Sequence, residues 1–367
     1  MLKKILFIFG TRPEVIKLAP LILELKKYPK KWEVIVCNTG QQAELSSQAL
    51  SYFGLTADFN LKVMTKDQSL SSLQSKLLIE LQKVYDEIKA DITFVQGDTM
   101  SAFSGALVSF YNKIPVYHIE AGLRSYDLME PFPEEALRQM ISRISTLHFA
   151  PTERNKKSLL QEGISEKQIY LVGNTVVDAL QCLHKDTLDE AKRFFEAKNI
   201  PLDDKLVLVT AHRRENHGER LDSIITAIEQ LAAEFSDYNF IIPVHPNPNV
   251  KEKIYTKLNH IKNIYLLPPL DYPKIVCIMK KAKLILTDSG GIQEEAPSFG
   301  CPVLVMRYET ERLEGIESGV SMLVGADTNK IIEESRKILS SNRKMYGSMK
   351  NPFGDGKSSE RIENILT

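Results

Sequence analysis

Apolar runs in this sequence stop far short of the ~20 residues that cross a bilayer; ILFIF at Ile5–Phe9 and IIPV at Ile241–Val244 are typical. A membrane-spanning segment is therefore excluded. Net charge is missing as well. Forty-seven Lys and Arg balance forty-seven Asp and Glu, so no global field draws the chain to nucleic acid or to an anionic membrane, and any anion has to be met at a local site. Cysteine is scarce. Cys37, Cys182, Cys277 and Cys301 lie far apart without a CxxC spacing, which argues for structural thiols rather than a zinc knuckle, a redox pair or a disulfide-stapled miniprotein. No secretory leader is evident either: two lysines lead into five apolar residues and Gly10 with no small-residue cleavage site, the pattern of the first strand of a cytoplasmic protein.

What is present is a repeated unit of short apolar run, turn and helix. At roughly 150 residues per domain, 367 residues predict two domains, and the alternation predicts parallel sheets in both. In the first half the strands read Lys4–Phe9, Trp32–Cys37, Ile92–Val95, Val116–Ile119, Leu147–Ala150 and Ile169–Val172. Helical spacing separates them, as in Val15, Ile16, Leu18, Ala19, Ile22 and Leu25. In the second half they read Leu206–Thr210, Phe240–Pro243, Ile264–Leu267, Leu284–Thr287, Val303–Met306 and Met322–Val324. Residues 178–204 show a helical and then a charged pattern without a buried strand, as an inter-domain connection would. The last residues, from Asn351, read as a turn and a short amphipathic helix able to pack on either domain. Open α/β sheets bind ligands where their strands end, and the unusual residue clusters fall at those ends.

TDSGGIQEEA at Thr287–Ala296 runs from a strand into a helix. Ser289, Gly290 and Gly291 are therefore predicted to cradle a phosphate with N–H groups and a hydroxyl, and Glu294 or Glu295 one turn later to accept from ribose hydroxyls. A plain glycine turn is the competing reading. The first βα turn, Gly10–Pro20, sets Arg12 and Lys17 near a helix start with Pro13 in its first turn. Cations there oppose the helix dipole, so they suggest an anion nearby, against a solvated arginine as the alternative. That turn lacks GxGxxG, and so does every other strand exit, which disfavours a nicotinamide cofactor. Asp98 and Glu120 each follow a strand, and if those strands are neighbours, burial and like charge push their pKa values apart as an acid and a base require. Taken singly, each carboxylate reads better as a cap or a surface acid, but together they outweigh that reading. Glu134 follows two prolines, with Arg138 spaced for an i,i+4 pair with it. His212, backed by Arg213, Arg214 and Glu215, and His245 each follow a strand. No third ligand stands at a metal spacing, so a donor to phosphate or sugar is favoured over zinc.

Taken together, GTRPEVIKLAP, GDT, HIEAGLRS, PFPEEALRQ, HFAPTE, GNTVVDAL, VTAHRREN, PVHPNPNV, TDSGGIQEEAPSFG, RYETER and NPFGDG resemble the non-hydrolysing UDP-N-acetylglucosamine 2-epimerases over nearly the whole chain. The resemblance implies the glycosyltransferase-B architecture, two doubly wound Rossmann-like domains around a central cleft. It implies a first domain at 1–177, a connection at 178–204, a UDP-binding second domain at 205–351 and a C-terminal helix at about 352–367 that returns to the first. Interconversion of UDP-GlcNAc and UDP-ManNAc, without cofactor or metal and as a cytoplasmic homodimer, is implied with it. By motif position, Asp98, Glu120, Glu134, Arg138 and His212 would be the functional residues around the sugar. Arg12, Lys17, Ser289, Gly290, Gly291, Glu295 and Arg312 would bind the nucleotide sugar. The chain departs from the common pattern at Gln42 and Gln96, where histidine is usual, at Leu137 for asparagine and at Leu313 for proline. Gln42 bears on activation by a second UDP-GlcNAc, the other three on which 2-acetamido sugar is used.

Chemistry narrows the mechanism. The hydrogen on carbon 2 is not beside a carbonyl, so it becomes acidic only when a neighbouring carbon is oxidised or when UDP leaves carbon 1. Without a dinucleotide fingerprint, elimination to 2-acetamidoglucal and readdition is the simpler route. Asp98 and Glu120 lead as acid and base, with Glu134 third. An epimerase of a related UDP-2-acetamido sugar, a hydrolysing 2-epimerase, a glycosyltransferase of the same fold and a nucleotide-sugar sensor are the alternatives.

Overall fold

Strands buried on both faces need continuous apolar sequence, and Ile5 to Phe9, all fully buried, show why this chain starts as one. The computed structural model describes residues 2–65, 68–341 and 350–367. It divides into two units, Met1–Cys182 with Phe353–Thr367, and Leu183–Pro352.

The first unit holds a seven-stranded sheet: β1 (Lys3–Phe9), β2 (Trp32–Asn38), β3 (Phe59–Asn60), β4 (Ile92–Gln96), β5 (Val116–Ile119), β6 (Leu147–Ala150) and β7 (Ile169–Leu171). Their spatial order is β3-β2-β1-β4-β5-β6-β7, every pairing parallel. Helix Arg12–Lys26 crosses from β1 to β2, and helix Met100–Tyr111 leaves β4. Chain order reverses between β1 and β4, which makes that the switch point where doubly wound sheets open a ligand crevice. The two-residue edge strand β3 was not apparent in the sequence, being too short to show a period.

The C-terminal segment belongs to this unit. Helix Ser358–Leu366 packs on helices Arg12–Lys26 and Thr175–Cys182. Its attachment is polar as well as apolar: Asn174 N donates to Phe353 O at 2.7 Å, Ser359 N to the buried Asp178 Oδ1 at 2.7 Å, and Arg361 to Val172 O at 3.0 Å. Asp178 thus satisfies an N–H at a helix start that has no intrahelical partner.

The second unit repeats the plan with β8 (Leu206–Thr210), β9 (Asn239–Pro243), β10 (Ile264–Leu267), β11 (Ala282–Thr287), β12 (Val303–Val305) and β13 (Ser321–Leu323), ordered β10-β9-β8-β11-β12-β13 and parallel throughout. Its switch point lies between β8 and β11. Helix Glu219–Glu234 covers one face with Leu221, Ile224, Ile228 and Leu231 at helical spacing, all in one core with Val207, Val209 and Leu286. Residues 178–204 form the end of helix Thr175–Cys182 in the first unit and helix Lys185–Glu196 in the second. Among the described residues no helix is long and apolar enough to cross a membrane.

Candidate functional sites at the two switch points

In the first unit the candidate side chains leave the ends of β1, β4 and β5. Strands β4 and β5 are hydrogen-bonded neighbours, so Asp98, two residues past β4, and Glu120, next after β5, stand at adjacent strand ends. Glu120 takes φ +63°, a left-handed backbone that costs a non-glycine residue on the order of 1 kcal/mol or more and persists only where its surroundings impose it. They do so through the carboxylate: Lys17 Nζ and Asn174 Nδ2 approach Oε1, and Gln96 Nε2 donates to Oε2. Lys17 and Glu120 expose only 10% of their side chains each, so their mutual charge is weakly screened. Gly97 also has positive φ, +67°, and a Cβ there would lie 3.6 Å from Glu120 Oε2. The glycine lets the carboxylate rest over the turn that carries Asp98.

Asp98 has its own cation. Arg138 NH2 lies 2.5 Å from its Oδ2, and Arg138 NH1 lies 3.2 Å from Glu135 Oε2. The expected i,i+4 pair with Glu134 is therefore corrected: Arg138 faces inward to Asp98 and Glu135. Glu135 is fully buried and accepts from Ser125 N, Tyr126 N and Gln139 Nε2 at 2.8–3.2 Å. Burial raises its pKa, but these donors and Arg138 outweigh that and leave it below the ordinary value. Glu134 opens helix Glu134–Ile144, half-buried, and has no ion pair among the described residues.

Sequence reasoning missed Glu14. Its carboxylate accepts from Gly10 N, Thr11 N and Thr11 Oγ1 on one oxygen and from Thr99 Oγ1 on the other, all at 2.7–3.0 Å, tying the first βα turn to the residue after Asp98. Burial pushes it up to about 7 against the pull of those donors. Arg12 opens the helix, and its guanidinium has no partner among the described residues, while its backbone N donates to Gln42 Oε1 at 3.2 Å. Lys17, expected among the nucleotide-sugar ligands, gives its ammonium to Glu120. Of the departures from the common pattern, Gln96 alone reaches a candidate carboxylate directly; Leu137 lies in the apolar core of helix Glu134–Ile144.

In the second unit His212 ends the loop from β8 and the TDSGG turn ends β11. Asp288, fully buried, binds the two together. Its Oδ2 accepts from His212 N at 2.8 Å, Arg213 N at 2.9 Å and Asn216 Nδ2 at 3.1 Å, and its Oδ1 lies 2.9 Å from His212 Nδ1. Burial would raise its pKa, but the His212 contact and the two backbone donors hold it below the carboxylate range. Ser289 precedes helix Gly290–Glu295, and its N donates to Thr287 Oγ1 at 3.0 Å. A Cβ on Gly290 would fall 2.6 Å from Arg312 Cζ, so the guanidinium lies directly against the glycine and would have to shift for any larger residue. Arg312 is steered by Glu294 Oε1 and Glu311 Oε2, each at 3.0 Å, so Glu294 is engaged there, while the buried Glu295 lies over Gly291. Glu311 is half-buried, and Arg312, Arg307 and Arg213 hold it down at about 2. Arg213 makes no hydrogen bond or ion pair through its guanidinium among the described residues, and burial with Arg307 and Arg312 nearby lowers its pKa. An unpaired, partly buried cation beside two others is a site for an anion. The sequence showed Arg213 only as a neighbour of His212, and Asp288 only as a letter of the TDSGG motif.

Both units have the doubly wound sheet of nucleotide-binding α/β proteins, with their polar clusters at the switch points. A family model described as UDP-N-acetylglucosamine 2-epimerase matches residues 24–367. The UDP-N-acetylglucosamine 2-epimerase of Neisseria meningitidis serogroup A is 46% identical over 333 residues, covering 90% of this chain and 89% of that one. The enzyme of that name from Escherichia coli K12 is 42% identical, covering 99% and 98%. The crystal structure of the N. meningitidis enzyme bound to UDP-GlcNAc superposes with a TM-score of 0.90 at 43% identity over 99% of both chains. That of Methanocaldococcus jannaschii, in complex with UDP-GlcNAc and UDP, gives 0.83 at 38% identity over 100% of this chain and 99% of that one. The chain belongs to the UDP-N-acetylglucosamine 2-epimerase family.

Proposed function

We propose that the protein interconverts UDP-N-acetylglucosamine and UDP-N-acetylmannosamine without releasing free sugar, by expelling UDP to form 2-acetamidoglucal and adding it back. The observation that carries this reading is the pair of carboxylates at adjacent strand ends, Asp98 and Glu120, each held by its own cation, in a chain of this family. Relatives of the same family have been solved with UDP-GlcNAc and with UDP, which supports the choice of ligand.

In the first half-reaction a base takes the carbon-2 proton, the C2–H electrons form the C1–C2 double bond, and the C1–O bond breaks toward the diphosphate. In the second, the diphosphate oxygen returns to carbon 1 while an acid delivers a proton to carbon 2 from the opposite face. Both directions need two proton-transfer groups and a fixed acceptor for the departing charge. Asp98 and Glu120 are the acid and base, with Glu134 as a third carboxylate, and such groups contribute about 100- to 10,000-fold. Arg138 orients Asp98, and Lys17 orients Glu120. In the second unit Ser289, Gly290, Gly291, Arg213, Arg312 and His212 hold the diphosphate and Glu295 takes the ribose; in the first unit Arg12 is a further nucleotide-sugar ligand. A preorganised donor to developing charge is typically worth about 3 kcal/mol.

The test is a proton NMR time course with UDP-GlcNAc in deuterated water. UDP-ManNAc carrying one deuterium at carbon 2 is the expected product. Free ManNAc with UDP would mean a hydrolysing enzyme, an unchanged substrate would mean that an acceptor is required, and unlabelled UDP-ManNAc would refute proton exchange.

A further inference from the structure

Glu14 is more fully bonded than a helix start requires. In a capping box the glutamate at the third helical position returns one oxygen to the residue before the helix. Oε2 alone does this for helix Arg12–Lys26, accepting from Gly10 N, Thr11 N and Thr11 Oγ1 at 2.8–3.0 Å. Oε1 is left over, and it meets a residue 85 positions away, accepting from Thr99 Oγ1 at 2.7 Å. The direction of that bond is fixed. Ala102 N, 3.0 Å from the same hydroxyl, can only donate, so Thr99 Oγ1 accepts there and its single proton turns to Glu14. The carboxylate is shut from bulk water, only 1% of Glu14 being exposed.

Thr99 is the residue after Asp98. Three residues beyond Glu14, and so on the same helix face, Lys17 holds Glu120. Resting on the reading of Asp98 and Glu120 as the proton-transfer pair, we propose that Glu14 is a positioning residue. It fastens the backbone that carries Asp98 to the helix turn whose lysine holds Glu120, so that one helix start sets the spacing of the two carboxylates. Arg138 aims the Asp98 side chain, and the Glu14–Thr99 bond fixes where that side chain begins. Two groups that exchange protons on opposite faces of one carbon tolerate little error, since a displacement of about 1 Å can cost about 100-fold in rate.

The test is a set of substitutions read by kcat with UDP-GlcNAc and by the UDP dissociation constant. Thr99→Val keeps the shape of the side chain and removes the hydroxyl. It is expected to lower kcat about 10- to 100-fold while the UDP dissociation constant stays within a few-fold of wild type. T99S restores the hydroxyl and should return kcat to within a few-fold. E14Q keeps the reach: the backbone N–H groups select its amide oxygen, its NH2 donates to Thr99 Oγ1, and kcat should fall only a few-fold. E14D keeps the charge but withdraws by one methylene, and should lose as much as T99V. Double-mutant cycles decide whether the bond acts through Asp98. Once D98N has removed one of the pair, their spacing no longer matters, so adding T99V to D98N should cost less than twofold, and E14D with T99V should cost no more than either alone. Losses that multiply in D98N would reduce Thr99 to a helix cap and overturn the proposal. Wild-type kcat in T99V or in E14D overturns it too, as does an E14Q as impaired as E14D, which would assign the effect to charge. Should E14D not fold, T99V, T99S and D98N with T99V decide by themselves. The underlying reading fails separately: it falls, and the proposal with it, if D98N turns over like wild type, whereas an impaired D98N beside an unimpaired T99V overturns the proposal alone.

Discussion

A carboxylate is committed to its chemistry by what it faces. Asp98 and Glu120 carry the same charge, but Asp98 shares Arg138 with Glu135, whereas Glu120 faces Lys17 beside two neutral amides, Gln96 and Asn174. This makes Asp98→Asn the cleaner probe, since Arg138 keeps a carboxylate at 3.2 Å and is not left buried without a counter-charge. D98N is expected to lose about 100- to 10,000-fold in kcat with its UDP dissociation constant unchanged, as read by coupled assay and calorimetry. E120Q should lose as much and also some stability, because the weakly screened charge facing Lys17 is gone. Parallel loss of UDP affinity in D98N would assign it to the nucleotide instead. The motifs marked these carboxylates as candidates. Their partners were not marked, because Lys17 lies 103 residues from Glu120 in sequence and no local spacing encodes that meeting.

Strands carry a second, less visible set of polar groups. His118 on β5 and His148 on β6 are register partners, 1% and 0% exposed. His118 Nε2 is 2.7 Å from Gly97 O, so it donates to the turn that carries Asp98. Burial is the largest cause that lowers both, His118 to about 3 and His148 to about 4. In the unfolded chain histidine protonates near 6.5, so below that pH the unfolded state takes up protons that the native strands refuse. Stability present above pH 6.5 is therefore lost as pH falls toward about 4, at about 1 kcal/mol per pH unit for each histidine. Neither ring nitrogen of His148 has a hydrogen-bond partner among the described residues. Replacing it with leucine is expected to be close to neutral at pH 7, and below pH 6.5 the H148L denaturant curves should pull ahead of wild type by about 1 kcal/mol per pH unit. Parallel curves would mean that His148 protonates as readily in the fold. Short, mostly apolar runs located β5 and β6 from sequence to the residue, because a doubly buried strand needs little else. A histidine inside such a run is ambiguous there, since only the packing shows whether it is satisfied, charged or shut away.

For the whole molecule, the chain builds two doubly wound cores, with the candidate proton-transfer carboxylates in one and the candidate anion cradle in the other. Composition already hinted at such local provision, since a net charge of zero leaves an anion to be met by a local cluster such as Arg213, Arg307 and Arg312. If the division of labour is as proposed, two ligands will leave different footprints in amide hydrogen exchange. UDP lacks the sugar, so it should slow exchange around His212–Asn216 and Ser289–Gly291 while leaving the turns after β4 and β5 unchanged. At a hundred times its wild-type dissociation constant it should stabilise the binding-competent state by about 2.7 kcal/mol, and at that same UDP concentration the gain should fall in R213A, which loses a guanidinium that has no partner among the described residues. UDP-GlcNAc should add protection at Gly97–Thr99 and Glu120–Gly122, because the sugar has to reach the carboxylates that exchange its proton. In D98N, which binds the substrate but turns it over slowly, the second footprint should persist long enough to be recorded without product. Protection confined to the second unit with UDP-GlcNAc would mean that Asp98 and Glu120 never meet the sugar, and the assignment of proton transfer to them would have to be given up even if epimerisation itself were observed.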